Sequence, residues 1–308
     1  MCYSARAWQD YRKYVRKFGA DMDIKAFVEL YMERRDGKPI KTPKAMDDSF
    51  EVPGNDDERL IHSLVAEHNA SVVSDLEKEL FEQTKRLNDA ERTLQTKTTK
   101  KATEDRRIAT NKIERAKQRL ADLRRSERKD RDARIFPGQY APVMVWDQGR
   151  KTVMPMRYQC RPAGKPAIYD RKYPGTYNAR RDNLEGFWKG QFGHSHGLMV
   201  VEEFFENVTG EDGKNKVLRF RPKSGEPMLV ACLWSRWTAP DGEQLLSFAA
   251  ITDEPTPEVA AAGHDRLIIS IKPEHVDAWL NPDPGNLEAL YRIFDDRQPD
   301  YYEHQLAA

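Results

Sequence analysis

The sequence is poor in cysteine, with only Cys2, Cys160 and Cys232 in 308 residues. They form no CxxC pair and no disulfide framework, which favours a reducing compartment. No apolar run approaches the ~20 residues that a membrane helix needs. Charged residues from Arg6 to Lys13 come too early for the apolar core of a signal peptide. We therefore expect a cytoplasmic protein.

The P-loop, GxGxxG and HExxH signatures of common nucleotide-binding proteins and zinc hydrolases are also missing. His194 and His196 form an HxH pair without a third ligand nearby, which is a poor metal site. The net charge is +1, so attraction to nucleic acid would need a local basic surface. We expect no metal and no organic cofactor.

Residues 57–132 contain no Gly, Pro, Trp or Tyr, and two runs of apolar residues there follow a heptad a/d pattern. The run TKTTKK (96–101) separates them, so we predict an antiparallel, coiled-coil-like helical hairpin with its tip at 96–101. Residues 97–131 hold 14 Lys or Arg against 6 Asp or Glu. This basic arm indicates either a contact with nucleic acid or a partner, or a solvated helix face.

The segments on either side of the hairpin differ in kind. Residues 8–35 predict two short amphipathic helices broken near Gly19, and the Pro- and Gly-containing stretch 36–56 predicts a loop. After Arg134 the chain becomes β-rich. The predicted strands are 141–146, 196–206, 216–220, 227–234, 245–252 and 266–271. A short helix or loop is predicted at 256–263, terminal helices or loops at 273–296, and fraying at the end.

Met1-Cys2 is a candidate reactive end, because a small second residue generally allows the initiator Met to be removed. An N-terminal Cys carries an α-amine with a pKa near 8 and a thiol with a pKa near 8.5. An aldehyde can form a Schiff base with the amine, which the thiol closes to a thiazolidine. The simpler interpretation is an ordinary second residue.

Three further stretches place polar residues beside strand-like sequence. Glu206 follows Phe204-Phe205, where partial desolvation would suit a carboxylate for proton transfer. His264 precedes a strand and could act as an acid or base. Asn178 lies next to a pair of arginines, Arg180 and Arg181, that could grip a phosphate. Taken singly, Glu206 can also be an ordinary strand-end carboxylate, His264 a turn histidine and Asn178 a turn asparagine.

Together these blocks resemble the SOS response-associated peptidase (SRAP) family, whose members bind abasic sites through an N-terminal Cys that becomes joined to DNA. The resemblance covers residues 1–8 and roughly 134–282. MCYSAR is similar to the family's MCGRF start, PMRYQCRP to MRWGLIP, and YNARRDN to FNARSET. The stretch that ends in EEFFEN is similar to the one that ends in GWYEW. The blocks that complete the resemblance are FPGQYAPVMVW, ACLWSRW and GHDRLIIS followed by DAWL.

The resemblance implies a role for each matching residue. Cys2 would be the nucleophile, Asn178 would hold it and the linkage, Glu206 would handle protons during sugar ring opening, and His264 would assist formation or reversal of the linkage. The implied DNA contacts are Arg180, Arg181, Arg6, Pro137, Arg157 and Tyr158.

The chain departs from the family at several positions. Tyr3 and Ser4 replace the Gly-Arg after the Cys, so a phosphate contact beside the nucleophile is either lost or moved to Arg6. Tyr158 and Gln159 replace a Trp-Gly, and Asn207 replaces the Trp after the catalytic Glu.

The expected architecture is an α+β, β-rich domain, mainly antiparallel and barrel-like, from residues 1–19 and 134–290. Residues 20–133 form a helical insertion and 291–308 a C-terminal tail. The expected function is a covalent thiazolidine crosslink to an abasic site in single-stranded or junction DNA, with weak lyase activity at most and no membrane partner. The alternatives are an N-terminal-Cys (auto)peptidase and a non-enzymatic adaptor that binds DNA, a coiled-coil partner or a second copy through the hairpin.

Overall fold

The computed structural model describes residues 4–210, 213–297 and 300–307. Its helices are α1 Tyr11–Phe18, α2 Ile24–Arg35, α3 Lys44–Asp48, α4 Asp56–Thr96, α5 Lys100–Arg124, α6 Tyr169–Lys172, α7 Pro257–Ala261, α8 Val276–Leu280 and α9 Leu287–Asp295. Its strands are β1 Ser4–Ala7, β2 Asp21–Met22, β3 Arg134–Ile135, β4 Tyr140–Asp147, β5 Arg150–Tyr158, β6 Asn178–Arg180, β7 His196–Thr209, β8 Asn215–Pro222, β9 Met228–Thr238, β10 Gln244–Asp253, β11 Leu267–Ile268 and β12 Tyr302–Leu306.

Within the described residues, five strands close a barrel in the order β4-β5-β10-β9-β7 and back to β4. Every pair in this ring is antiparallel except β5 with β10, which run parallel. Closure pairs the backbone groups that an open sheet would leave at its edges. The predicted α+β class with a mainly antiparallel, barrel-like sheet is confirmed.

The longest strand of the barrel, β7, continues beyond the ring. Its second half pairs with β1 through Ser4↔Phe205 and Arg6↔Glu203, and with β8 through Glu206↔Leu218. The register with β1 shifts between Arg6 and Ala7, so Glu202 is an extra residue in β7, a β-bulge. The N-terminal strand therefore lies beside the segment that carries Glu206.

Alternation along the strands gives the sheet two apolar faces. One face fills the barrel, with Met199, Val201, Phe204 and Val208 contributed by β7. The other packs against α1, α2, α8 and α9, where Tyr14, Phe27, Trp279 and Phe294 are almost completely buried. Residues 27–64 join this outer cluster, so the first part of the predicted insertion packs directly on the barrel.

The predicted helical hairpin is confirmed, with a tip at 97–99 between α4 and α5. Asn55 caps α4 and Thr99 caps α5, each accepting a hydrogen bond from a backbone N–H three residues on. The two helices meet along a narrow apolar seam that includes Leu76, Ala116 and Leu120. Ion pairs such as Arg86–Asp105, at 2.6 Å, run beside it. Coiled-coil supercoiling of the hairpin stays a prediction.

Three local predictions need correction. The predicted loop 36–56 contains α3, whose Met46 is fully buried in the outer cluster. The predicted strand 266–271 is reduced to Leu267–Ile268. Fraying at the C-terminus is wrong for Tyr302–Leu306, since these residues pair with β8 and bury Tyr302 against Phe204. No helix in the described ranges combines the length and apolar character that crossing a bilayer requires.

Glu58 fixes the base of the hairpin to the barrel domain. Its carboxylate is almost completely buried and accepts hydrogen bonds from the Tyr11 hydroxyl, from Arg12 at 2.5 Å and from the Gly54 N–H at 2.7 Å. Burial on its own would raise the pKa of this carboxyl. The hydrogen bonds and the Arg12 guanidinium outweigh burial, so the pKa of Glu58 lies below its usual value.

We therefore predict that Glu58→Gln lowers the free energy of unfolding by about 1–3 kcal/mol at pH 7. Because the pKa is lower in the folded state than in the unfolded one, the carboxylate stabilises the fold fully above its unfolded pKa. That contribution is lost as the pH falls through the folded pKa. Urea denaturation at pH 7 and in acid measures the difference.

The matched control is Glu77→Gln, on the same helix. Its exposed ion pair with Arg124, at 2.8 Å, should contribute less than about 1 kcal/mol. Equal losses in the two variants, or a Glu58→Gln deficit that grows in acid, would contradict the assignment.

Candidate active site

A buried carboxylate–imidazole pair lies where β7 leaves the barrel. Glu206 is 1 % and His264 is 8 % exposed, and Glu206 Oε2 lies 3.0 Å from His264 Nε2. The loop before β11 brings the histidine there. In that loop Gly263 adopts φ +90°, and a Cβ at this position would lie 3.9 Å from the Cβ of Val208 on β7.

The contacts of His264 indicate where its protons are. Nδ1 lies 2.8 Å from the carbonyl oxygen of Arg266, which can only accept, so Nδ1 carries a hydrogen. Glu206 Oε2 at 3.0 Å from Nε2 is close enough to form an ion pair with a protonated imidazole. Two acid–base groups at this distance are suited to exchange a proton with a reacting oxygen.

Asn178 is a buried amide without a hydrogen-bond partner. Its side chain is on β6, the residue is 7 % exposed, and neither Oδ1 nor Nδ2 has a partner among the described residues. A buried polar group that is left unpaired costs about 1–3 kcal/mol. In native structures such groups have a specific explanation, such as a catalytic role, a strained backbone, or a bound water or ion.

Strand register places Asn178 and Glu206 on the same side of the sheet. Asn178 lies directly beside Ala250 on β10, and Ala250 belongs to the cluster inside the barrel. Glu206 is two residues from Phe204 and two from Val208 on β7, so the three side chains share one face of the strand. Phe204 and Val208 belong to the same cluster. Both polar side chains therefore point into the apolar interior of the barrel.

The predicted nucleophile, Cys2, lies outside the described residues. Two residues later, Ser4 pairs with Phe205, the immediate neighbour of Glu206. Covalent geometry limits the Cα atoms of Cys2 and Ser4 to at most about 7.6 Å apart. The role of Cys2 remains a prediction that this position allows.

The two arginines after Asn178 have different surroundings. Arg180 is two residues along the same strand, so its side chain is on the same face, and it is 45 % exposed with Asp182 as its ion-pair partner. Arg181 is held between Asp253, at 3.0 Å, and Asp295. Arg180 is therefore the more accessible of the two cations.

The other predicted DNA contacts are less accessible. Arg6 forms ion pairs with Asp130, Glu202 and Glu203 at 2.9–3.4 Å. Arg157 pairs with Asp170 at 2.8 Å. The Tyr158 side chain is buried inside the barrel against Phe248 and Tyr177, and Pro137 is half-buried in the turn before β4. In this conformation Tyr158 offers no exposed ring face for a base to stack on.

Sequence reasoning missed Arg134. Its Nε donates to Ser4 Oγ at 2.9 Å, and its guanidinium lies 3.7 Å from the ring centroid of Phe205. It therefore places a cation beside the strand that follows Cys2, where the family's usual Arg is replaced by Ser4. The sequence signal was weak, because Arg134 is one of many cations at the end of the basic arm.

The HxH pair does not form a metal site in this conformation. His196 is buried, its Nε2 accepts from the Gly193 N–H at 2.8 Å, and its Nδ1 lies 2.8 Å from the carbonyl of Trp279. Burial lowers the pKa of His196 to about 3. Both ring nitrogens are used by the backbone, so this histidine is structural.

A family model described as SOS response associated peptidase (SRAP) matches residues 92–305. This is more than half of the chain. The chain belongs to the SRAP family. The match spans the strands that carry Asn178, Glu206 and the loop of His264.

Two proteins of Bacillus subtilis (strain 168) are similar to part of the chain. Abasic site processing protein YoqW is 31% identical over 96 residues, and Abasic site processing protein YoaM is 30% identical over 96 residues. Each alignment covers 30% of this chain and 42% of the relative, so the chain spans less than half the length of the curated relatives it matches.

Among solved structures, a Bordetella bronchiseptica protein matches with a TM-score of 0.48 and 17% identity, covering 62% of this chain and 95% of that one. A Bacteroides thetaiotaomicron protein matches with a TM-score of 0.48 and 14% identity, covering 57% and 77%.

The unpaired amide of Asn178 leads to a stability prediction. Asn178→Leu keeps the branching and the number of side-chain heavy atoms and removes the buried unpaired group, so we expect the free energy of unfolding to stay constant or rise by up to about 2 kcal/mol. Denaturation in urea measures it. Ser270→Ala is the control, because the Ser270 Oγ accepts from the Leu229 N–H at 3.1 Å and its loss should destabilise the protein. A large destabilisation by Asn178→Leu would mean that the amide supports the fold.

Proposed function

We propose that the protein captures abasic sites in single-stranded DNA by forming a thiazolidine between Cys2 and the sugar aldehyde. The observation that carries the proposal is the buried Glu206–His264 pair, which faces the same interior layer as the unpaired amide of Asn178. A carboxylate and an imidazole that can exchange protons, together with an amide whose polar atoms have no partner, suit the opening and trapping of a sugar. The names of the two Bacillus relatives, abasic site processing proteins, support the same substrate.

The chemistry can be written with atoms balanced. Glu206 gives a proton to the ring oxygen, and the Glu206–His264 pair takes up the proton that leaves the C1′ hydroxyl, which opens the furanose to the aldehyde. The neutral α-amine of Cys2 adds to C1′, and loss of water gives the imine. The thiolate then adds to the imine carbon while the nitrogen takes a proton. Aldehyde, amine and thiol thus become thiazolidine and one water, and no strand is broken.

The surrounding residues position this reaction. The amide of Asn178 can donate to one oxygen of the open sugar and accept from the Cys2 amine, which would satisfy both of its unpaired atoms. Arg180, exposed at the rim on the same face, can contact the phosphate next to the abasic sugar. His264 returns the proton when the linkage forms or reverses.

The basic arm of the hairpin gives the adaptor alternative little support. Several of its cations are already paired with carboxylates on the same or the facing helix: Arg107 with Glu104, Lys112 with Glu79, and Arg124 with Glu77. Such ion pairs are typical of a helix face that is exposed to solvent. They leave less net positive charge to attract DNA phosphates. The (auto)peptidase alternative would use Cys2, Glu206 and His264 on a peptide bond instead of a sugar, and the experiments below distinguish the two.

The first test incubates the purified protein with a single-stranded oligonucleotide that carries one abasic site, followed by a denaturing gel. We expect a slow band that survives heat and forms without reductant. Cys2→Ser keeps the amine and removes the thiol, so it should give no stable band and more strand cleavage. Mass spectrometry must show that Met1 is absent. No band from the wild-type protein without Met1 would overturn the proposal and favour the peptidase or adaptor.

The second test addresses proton transfer. Glu206→Gln should slow crosslink formation by about 10²–10⁴-fold, because an amide cannot deliver the proton that ring opening needs. Glu203→Gln is the matched control, a carboxylate that is also buried on β7 but pairs with Arg6 and Arg219. It should crosslink at close to the wild-type rate at saturating DNA. Equal slowing in both variants would show that Glu206 serves β7 rather than the reaction.

A further inference from the structure

The C-terminal strand β12 is linked to both halves of the Glu206–His264 pair. Along one edge it pairs with β8, which in turn pairs with the part of β7 that carries Glu206. It is also joined to the loop of His264 through the side chain of Glu258, on α7. We propose that Glu258 is a positioning residue, which holds His264 against Glu206 by fastening its loop to β12. This inference rests on the proposed function, because it concerns the same pair.

The link from β12 to Glu206 runs through β8 and the barrel interior. In the sheet, Leu218 of β8 lies directly between Glu206 on β7 and Leu306 on β12. The Tyr302 ring is buried edge-on against Phe204, two residues before Glu206, with the ring centroids 5.5 Å apart. Sheet pairing and a buried ring therefore fix β12 relative to the strand that carries the carboxylate.

The hydrogen bond of Glu258 uses a backbone group of β12 that β8 cannot reach. The carbonyl oxygen of Tyr301 faces β8, because it accepts from the Lys223 N–H at 2.9 Å. In a trans peptide unit the N–H of the next residue points the opposite way, so the Tyr302 N–H lies on the edge of β12 that faces away from β8. Glu258 Oε1 accepts from this N–H at 3.0 Å. A side chain of the His264 loop thus pairs a backbone donor that the sheet leaves over.

A short path of backbone contacts connects Glu258 to His264. The carbonyl oxygen of Val259, the next residue, accepts from the His264 N–H at 3.2 Å, and the carbonyl oxygen of Glu258 accepts from the Ala262 N–H at 3.1 Å. These bonds shape the loop but do not attach it to the barrel. Two side chains do so: Val259 is fully buried in the interior cluster, and Glu258 adds the hydrogen bond to β12. Apolar burial has no preferred direction whereas a hydrogen bond does, so Glu258 sets the orientation in which the imidazole meets Glu206.

The rate of proton transfer depends on that orientation. His264 Nε2 lies 3.0 Å from Glu206 Oε2, within the range of roughly 2.6–3.2 Å that proton transfer requires. A misplacement of about 1 Å can slow a reaction about 100-fold. Glu206 is on a strand that is paired along both edges, so the histidine is the half of the pair whose position depends on its loop.

The test compares Glu258→Ala, which removes the acceptor, with Glu258→Gln, which keeps an oxygen at the same place. The control is Glu303→Ala, because Glu303 is also a carboxylate of this region, on β12, but pairs with Arg221 at 3.5 Å. At saturating abasic DNA we expect Glu258→Ala to crosslink about 10–100-fold more slowly, with the half-saturating DNA concentration unchanged. Glu258→Gln and Glu303→Ala should stay close to the wild-type rate. Equal slowing by Glu258→Ala and Glu258→Gln, or by Glu258→Ala and Glu303→Ala, overturns the inference.

A double variant separates positioning from a general structural role. A positioning residue acts only through the group that it positions, so Glu258→Ala should cause no further slowing when His264 is already replaced by Ala. A further loss as large as in the wild-type background would show that Glu258 supports the fold in general, and would overturn the inference.

Hydrogen–deuterium exchange of the same variants without DNA tests the link independently of crosslinking. The backbone amides of residues 259–266 should exchange faster in Glu258→Ala than in wild type, Glu258→Gln or Glu303→Ala, while those of β7 stay equally protected. Unchanged exchange in 259–266 overturns the inference, while wild-type crosslinking still supports the proposed function. If the wild-type protein does not crosslink, the proposed function fails, and the exchange result alone decides whether Glu258 holds the loop.

Discussion

A single β-bulge at Glu202 determines which side chains of β7 face the barrel. Before it, Met199 and Val201 point inward, and after it Phe204, Glu206 and Val208 do. Without the extra residue the alternation would turn Glu206 outward, because a shift of one position exchanges the two faces of a strand. The bulge therefore places the carboxylate against His264 in the interior and leaves Glu202 and Glu203 for the cations outside.

The pairing of β7 on both edges makes that placement rigid. β4 and then β1 lie along one edge, and β9 and then β8 along the other. A carboxylate held in this way cannot move far, so Glu206 stays within 3.0 Å of His264. The same pairing carries the N-terminal strand past Phe205, so backbone hydrogen bonds hold β1 beside the segment that carries Glu206.

The sequence predicted what depends on local pattern. The Gly- and Pro-free heptads gave the hairpin, and runs of β-branched and aromatic residues gave most of the barrel strands. It could not predict the bulge in EEFFEN, the pairing of β12 with β8, or which cations are neutralised. Arg6 is an ordinary surface arginine in the sequence, yet in the structure it is surrounded by three carboxylates. Such contacts join residues more than a hundred positions apart.

The candidate site residues could be named in advance only through the family resemblance, and the structure adds the physical reason for two of them. Glu206 and His264 are 58 positions apart in the sequence, and nothing local in either stretch indicates that they meet. Asn178 differs from an ordinary turn asparagine because it is buried and neither polar atom of its side chain has a partner among the described residues. Leaving such a group unpaired costs about 1–3 kcal/mol, so its burial calls for an explanation that the local sequence does not contain.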